Sequence, residues 1–214
     1  MHDAFDRVLA DYHARYAVER ARMKALGPAT WDHADELLLP IGPSTGQMLA
    51  TLIEGARAKT IVDVGTSFGY SALWFAKAAR RTGGRVISLD NHAGKQAYAM
   101  EQLKRAGLDD LVEMRCGDAR ETMRDIEGPV DFVLIDILWK ELYSACFDLL
   151  RGKLADGAMI AADNITWPDR RAGALYREHV AQSPEFTSML LPVGSGVELS
   201  IYNETIAFTQ AMAA

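Results

Sequence analysis

The stretch that decides the fold is Ile61-Val62-Asp63-Val64-Gly65-Thr66-Ser67-Phe68-Gly69-Tyr70-Ser71. An apolar run of β-forming residues contains the acid Asp63, and Gly65 and Gly69 follow before a helical pattern begins at Ser71. This order predicts a strand, a tight glycine turn and a helix N-terminus. Such an arrangement holds nucleotide-like ligands at the edge of α/β sheets.

The spacing of the glycines indicates which ligand is bound. Asp-x-Gly-x-x-x-Gly differs from Gly-x-Gly-x-x-Gly, which uses three glycines around the pyrophosphate of a dinucleotide. We expect Gly65 to make the turn and Gly69 to let the backbone approach a ligand without a Cβ. Asp63 lies where a cation or a hydroxyl group would be met. S-adenosylmethionine fits, because it carries a sulfonium, an amino group and an adenosine.

Composition limits the class of protein. A chain of 214 residues suffices for one good core, so we predict a single domain with a helical and lid segment at 1–42, a core at 43–202 and a tail at 203–214. A net charge of −6 argues against broad binding to nucleic acid or to an anionic membrane. We expect no membrane span and no signal peptide. Cys116 and Cys146 lack motif spacing, so we expect free, buried thiols and a cytoplasmic protein.

Predicted strands and helices alternate along the chain. A helix at 3–26 and a second one, capped by Ser44 and ending near Arg57, come first. The predicted strands lie at 59–64, 85–90, 111–116, 130–136 and 157–162. The predicted helices lie at 71–81, 94–106, 119–126, 140–151 and 169–182. This alternation predicts a parallel sheet with helices on both faces, and 185–191 with 196–202 predicts a closing hairpin.

Acids recur where the predicted strands end. Asp90 ends the second strand and can accept from two ribose hydroxyls, although a turn residue is the alternative. Asp118 follows the third strand and can accept from the adenine amino group, or it can cap a helix. Ser71 could cap its helix or contact the carboxylate end of the cofactor, and these two roles are compatible.

A candidate metal site follows from the next two strands. Asp136 ends the fourth strand, and Asp163 and Asn164 end the fifth, so their side chains should meet in one crevice. Two carboxylates and an amide oxygen suit Mg²⁺, while the five histidines show no metal spacing. The alternative is that Asp163 and Asn164 form an Asx turn before Pro168.

These motifs resemble the catechol and caffeoyl-CoA O-methyltransferases, which are magnesium-dependent class I S-adenosylmethionine methyltransferases. The resemblance runs from about Glu36 to Tyr202 and rests on four segments, namely Gly42-Pro43-Ser44-Thr45-Gly46-Gln47, residues 63–71, residues 136–143 and Ala162-Asp163-Asn164. It implies a Rossmann-like sheet of five parallel strands plus a C-terminal antiparallel hairpin. It also implies S-adenosylmethionine and Mg²⁺ as cofactors, a lid at residues 37–39, and a homodimer like that of bacterial members.

The resemblance further implies the roles of individual residues. Asp136, Asp163 and Asn164 would hold the metal, with Asp136 also near the cofactor, and Lys140 would be the base. Family members usually place this lysine three residues after the metal aspartate, whereas here it comes four after, which fits a one-residue loop insertion. The alternative is a solvated lysine on the first turn of a helix.

The substrate implied is a small aromatic hydroxyl compound, chiefly a vicinal diphenol whose two oxygens chelate the metal. Trp139, Trp167 and Pro168 could enclose its ring, although ordinary packing is an alternative for Trp167. Trp31 receives no role. The competing classes are a metal-independent methyltransferase of another small molecule or of RNA, a binding module without methyl transfer, and a nicotinamide dehydrogenase.

Overall fold

Seven strands form one sheet in the computed structural model, which describes residues 3–206. The predicted tail at 203–214 therefore falls partly outside the described residues. The strands are β1 Thr60–Val64, β2 Arg85–Asp90, β3 Val112–Cys116, β4 Val130–Ile135, β5 Leu154–Ala162, β6 Phe186–Leu191 and β7 Val197–Tyr202. Their order across the sheet is β3-β2-β1-β4-β5-β7-β6.

The strand pairing confirms the predicted fold class. β1 pairs in parallel with both β2 and β4, so that Val62 lies between Ile87 and Val133, and β3 and β5 extend the parallel part. β7 runs antiparallel to β5 and to β6, which is the predicted closing hairpin. Because β1 and β4 are central and parallel, their carboxyl ends share one edge of the sheet.

Helices cover both faces of the sheet. The α-helices are α1 Ala4–Leu26, α2 Pro43–Gly55, α3 Tyr70–Thr82, α4 Ala93–Ala106, α5 Ala119–Thr122, α6 Tyr143–Arg151 and α7 Arg170–Ala181. Short 3₁₀-helices lie at Gly27–His33, Asp109–Leu111 and Lys140–Leu142. Among residues 3–206, none of the helices is both long and apolar enough to cross a bilayer.

Two apolar cores lie on opposite sides of the sheet, because successive side chains of a strand point to opposite faces. In β4, Phe132 and Leu134 join the core that packs against α1, α2, α3 and α4. Val133 and Ile135 join the other core, which includes Phe147 of α6 and residues of α7. The central strands are therefore buried on both faces, as their continuous apolar sequences predict.

Several predicted boundaries were wrong. Ser44 does not cap α2, because Pro43 already occupies the first turn and Gly42 is the N-cap without a side-chain hydrogen bond. The helix predicted at 119–126 ends at Thr122, and the one predicted from Lys140 starts with a 3₁₀-turn. The fifth strand starts at 154 rather than 157. The two cysteines are free as predicted, although Cys116 is exposed rather than buried.

Candidate active site

The carboxyl ends of four parallel strands bring the predicted acids together. Backbone hydrogen bonds tie these ends to one another: the Gly65 amide donates to the Leu89 carbonyl at 2.9 Å, and the Asp136 amide donates to the Val64 carbonyl at 2.8 Å. The Asp163 amide likewise donates to the Ile135 carbonyl at the end of β4, at 3.1 Å. Since β5, β4, β1 and β2 are adjacent, the acids form one row along this edge.

The two glycines of the loop are required by packing within the protein. Gly65 has φ +112°, and a Cβ there would lie 2.0 Å from the carbonyl oxygen of Asp136. Gly69 has φ +89°, and its Cβ would lie 2.5 Å from the Cβ of Ala99 on α4. We expected Gly69 to leave room for a ligand; the structure gives a different reason, which is close contact with α4.

Asp63 is fully buried beneath the glycine loop. Its Oδ2 accepts hydrogen bonds from the hydroxyls of Ser88, at 2.8 Å, and Ser71, at 3.1 Å. Its Oδ1 has no hydrogen-bond partner among the described residues. Burial, together with the charges of Asp136 and Asp90, raises the pKa of Asp63 to about 7, against the two hydroxyl hydrogen bonds. The free Oδ1 is the atom that a cationic ligand would satisfy.

The Ser71 hydroxyl donates to Asp63 and does not cap α3. The N-cap of α3 is Gly69, and no side chain caps that helix, so the capping role expected for Ser71 was wrong. A left-handed glycine at the cap positions the first turn instead, and the Ser71 hydroxyl is directed towards Asp63.

Asp90 fixes the loop through both of its carboxylate oxygens. One oxygen accepts from the Ser67 amide at 2.7 Å, and the other accepts from the His92 amide at 2.8 Å. Asp90 therefore acts as a turn residue, which is the alternative role that the sequence allowed. Each carboxylate oxygen keeps a second acceptor site, so a role towards ribose is compatible with these contacts.

Asp118 caps a helix, which is the alternative role that the sequence allowed. Its carboxylate accepts from the Arg120 amide at 2.8 Å and pairs with the Arg120 guanidinium at 2.5 Å. These contacts lower the pKa of Asp118 to about 2. An adenine amino group would have to share this carboxylate with Arg120.

Asp136, Asp163, Asn164 and Lys140 come together at the ends of β4 and β5. The Lys140 Nζ donates to Asn164 Oδ1 at 2.9 Å and lies 3.7 Å from Asp136 Oδ1. Asn164 Nδ2 donates to Asp163 Oδ2 at 3.2 Å. Burial raises the pKa of both acids, and the neighbouring Asp136 charge raises that of Asp163 further. Burial lowers the pKa of Lys140, against the two carboxylates.

This oxygen set fits a hard cation. Within residues 3–206 no group of three or more His, Cys, Asp and Glu side chains could hold a metal, so any metal here would need the amide oxygen of Asn164. Asp163 Oδ1 is buried and has no hydrogen-bond partner in the part of the chain that the structure describes. Asn164 has a left-handed φ of +59°, and its side-chain amide donates to the other oxygen of Asp163. Two carboxylates and one amide suit Mg²⁺, which retains several waters.

Tyr143 belongs to both the core and the site. The residue is buried, and its hydroxyl contacts Lys140 and lies 3.2 Å from the Asp163 carbonyl oxygen. The structure shows that its ring packs in the core while its polar end reaches the cluster.

Exposed tryptophans lie close in sequence to the residues of the cluster. Trp139 and Trp167 are 60% and 55% exposed, although large apolar residues are usually buried. The ring of Trp31 lies 5.9 Å from that of Trp167. Sequence reasoning missed Trp31 because it lies outside every motif, and only the folding of Gly27–His33 brings it near.

Residues 38–41, which overlap the lid predicted at 37–39, lie beside the glycine loop. Leu38 and Leu39 line a narrow cavity together with Gly65, Ser71 and Asp136. Leu38 is buried, and its amide donates to a carboxylate oxygen of α1 at 2.7 Å. The cavity is lined by both Asp136 and Ser71, and the Ser71 hydroxyl donates to Asp63.

Comparisons with known proteins agree with this geometry. Residues 62–165 match the family described as a methyltransferase domain. The chain is 28% identical over 167 residues to catechol O-methyltransferase of Niastella koreensis, covering 76% of this chain and 75% of that protein. It is 31% identical over 138 residues to catechol O-methyltransferase of Mycobacterium tuberculosis, covering 64% of this chain and 62% of that protein.

One similar solved structure contains bound SAH. The O-methyltransferase from Bacillus cereus in complex with SAH has 25% sequence identity and a TM-score of 0.69, covering 90% of this chain and all of the other. The glycine loop, the sheet order and these matches lead to one conclusion. The chain has the fold of class I methyltransferases and is an S-adenosylmethionine-dependent O-methyltransferase, and it is similar in sequence to the catechol and caffeoyl-CoA O-methyltransferases.

Proposed function

We propose that this O-methyltransferase requires Mg²⁺ and methylates small aromatic hydroxyl compounds, chiefly vicinal diphenols. The observation that carries the proposal is the all-oxygen set of Asp136, Asp163 and Asn164 beside the glycine loop. Relatives named catechol O-methyltransferase support the substrate class.

Asp136, Asp163 and Asn164 would hold the metal. Bound there, Mg²⁺ would take both oxygens of a diphenol and lower the pKa of the phenol that attacks. The partnerless Asp163 Oδ1 supports this assignment, because a buried carboxylate oxygen without a donor is costly unless a cation meets it.

Lys140 is the proposed base, acting through its Nζ. Burial favours the neutral amine, which is the form that accepts a proton, although Asp136 and Asp163 oppose this. The side chain is 11% exposed and lies among the proposed metal ligands, so the alternative of a solvated lysine does not apply.

We assign the cofactor to the end of the cavity that lies next to the glycine loop. S-adenosylmethionine supplies the electrophilic methyl group when bound. In our proposal Asp63 and Ser71 hold its methionyl end, where Gly65 and Gly69 shape the loop, and Asp136 lies beside it. Asp90 accepts from the ribose, and the adenine amino group approaches Asp118.

The ring of the substrate would lie among Trp139, Trp167 and Pro168, and we add Trp31 to this group. The exposed faces of the three tryptophans support the assignment, because a planar ring stacked there is removed from water. We further propose one domain, a cytoplasmic location, a homodimer, and no nucleic-acid or membrane partner; the net charge of −6 supports the last point.

The experiment that tests the function is methyl transfer from S-adenosylmethionine to a panel of catechols, with Mg²⁺ or with EDTA. We expect turnover to vanish in EDTA and to return with Mg²⁺. Asp136→Asn should lose metal-dependent turnover while keeping most cofactor affinity, measured by calorimetry. Asp148→Asn, which changes an acid on α6 that pairs with His179, is the matched control and should keep full activity.

The outcomes separate the proposed function from its main alternative. Turnover that EDTA leaves unchanged would refute the metal requirement and favour a metal-independent transfer. Absence of turnover with every catechol, alongside cofactor binding, would refute the diphenol substrate and direct the search to other small molecules and RNA.

A further inference from the structure

Lys140 is held by three oxygen acceptors inside the carboxylate cluster. Its Nζ donates to Asn164 Oδ1 at 2.9 Å, to the Ile137 carbonyl at 3.0 Å and to the Tyr143 hydroxyl. Asp136 Oδ1 lies 3.7 Å away and supplies a negative charge. An ammonium group has three donors, so these three acceptors satisfy it completely. The lysine is thus bound as a cation would be.

The local sequence explains this position. Lys140 opens a 3₁₀-turn, Lys140–Leu142, and follows Asp136 by four residues, so its side chain folds back over the strand end. The Nζ also lies 4.5 Å from the centre of the Tyr143 ring, which favours a cation. Tyr143 is buried, and its hydroxyl accepts from the ammonium.

A divalent ion and this ammonium need the same amide oxygen. Asn164 Oδ1 accepts from Lys140, and it is also the only amide oxygen in the proposed metal set. Two cations on one oxygen would repel strongly, because the repulsion between like charges is less screened in a site that is partly shielded from water. Asp163 Oδ1, in contrast, has no hydrogen-bond partner within residues 3–206 and remains available to a metal.

We propose that Lys140 is the internal cation of this cluster when no metal is bound, and that a divalent ion enters by displacing its ammonium from Asn164. The inference rests on the proposed metal site and gives Lys140 a second role. Displacement also frees the Nζ from its three acceptors, and a group that is to accept a proton must first be free of them.

Metal affinity gives the first test. Lys140→Met removes the ammonium but keeps a long apolar side chain. We expect its Kd for Mn²⁺, measured from the electron paramagnetic resonance of free Mn²⁺, to fall at least about tenfold relative to wild type. Lys95→Met is the matched control, because Lys95 is 10% exposed and paired with Asp35 outside the cluster; its Kd should stay within about twofold.

Lysine reactivity gives the second test and needs no variant. Wild-type protein is pulsed with acetic anhydride at increasing Mg²⁺, and acetylation of Lys140 is measured by peptide mass spectrometry. We expect saturating Mg²⁺ to increase Lys140 acetylation several-fold, since the amine leaves its acceptors. Lys95 in the same digest is the internal reference and should not change.

The results distinguish this inference from the proposed function. If wild type binds Mn²⁺ and Lys140→Met binds it no more tightly, displacement is wrong while the metal site stands. Lys140 acetylation that Mg²⁺ leaves unchanged would overturn displacement in the same way. If neither protein binds Mn²⁺, the metal site fails and the inference fails with it.

Discussion

Asp63 should make the protein less stable as the pH rises, and replacing it should remove that effect. The carboxyl group is fully buried, and its pKa is raised from 3.8 to about 7. An acid whose pKa is higher in the folded state binds its proton more tightly there, so folding is favoured at low pH. The stability is lost as the pH rises from the unfolded to the folded pKa.

The magnitude follows from the size of the shift. A rise of about 3 pKa units corresponds to about 4 kcal/mol of unfolding free energy, of which roughly 3 kcal/mol falls between pH 5 and pH 8. Asp63→Asn cannot ionise and keeps an oxygen that accepts from Ser88 and Ser71. The amide nitrogen of the variant has no acceptor, which lowers the free energy of unfolding by about 1–3 kcal/mol at every pH.

Urea denaturation of both proteins without cofactor at several pH values measures this effect. Subtracting the two unfolding free energies cancels the other titrating groups that both proteins share. We expect the wild type to lose roughly 3 kcal/mol relative to Asp63→Asn from pH 5 to pH 8. A difference that stays constant to within about 1 kcal/mol over this range would refute the raised pKa.

The same variant tests the function of the acid. If Asp63 meets the cationic end of the cofactor, Asp63→Asn should bind S-adenosylmethionine at least about tenfold more weakly at pH 8, because a charge-assisted contact is lost. Calorimetry measures this affinity. Equal affinity in both proteins would show that Oδ1 does not face the cofactor.

Two further substitutions test the glycine loop. Asp90→Ala removes the acceptors of the Ser67 and His92 amides, so the cofactor Kd should rise about tenfold or more by calorimetry; an unchanged Kd would contradict the role of Asp90. Gly65→Ala places a Cβ 2.0 Å from a backbone oxygen and should cost about 3 kcal/mol or more in urea unfolding. Its control is Gly107→Ala, where φ is +65° but nothing lies within 4 Å, and the cost should be about 1 kcal/mol; equal losses in both variants would contradict the packing argument.

Local patterns were sufficient to predict the sheet and the row of acids. Continuous apolar strands separated by amphipathic helices predict a parallel sheet, and the acid at each strand end is then placed by topology alone. Asp90 and Asp136 illustrate this, since each lies where its strand ends beside β1.

The remaining features depend on contacts between distant segments, which periodicity does not contain. Trp31 lies 5.9 Å from Trp167 only because of the way the 3₁₀-helix Gly27–His33 packs after α1. The cap of α2 was misplaced because Pro43 sets the first turn before Ser44 can act. The three acceptors of Lys140 likewise come from the loop after β4, from α6 and from the loop after β5, so no single motif encodes them.

The charges of the site link stability to binding. Asp63, Asp136 and Asp163 lie at the ends of adjacent strands, and burial raises the pKa of each. Lys140 is the one ammonium in contact with this group among residues 3–206, and it touches the Asp136 end. Burying three acids around one cation is unfavourable unless further cations bind, and a methyl sulfonium with its amino group and a divalent ion are such cations. Ligands that bind only the folded state stabilise it. We therefore expect the three buried acids, which lower the stability of the unliganded protein, to increase its affinity for these cationic ligands.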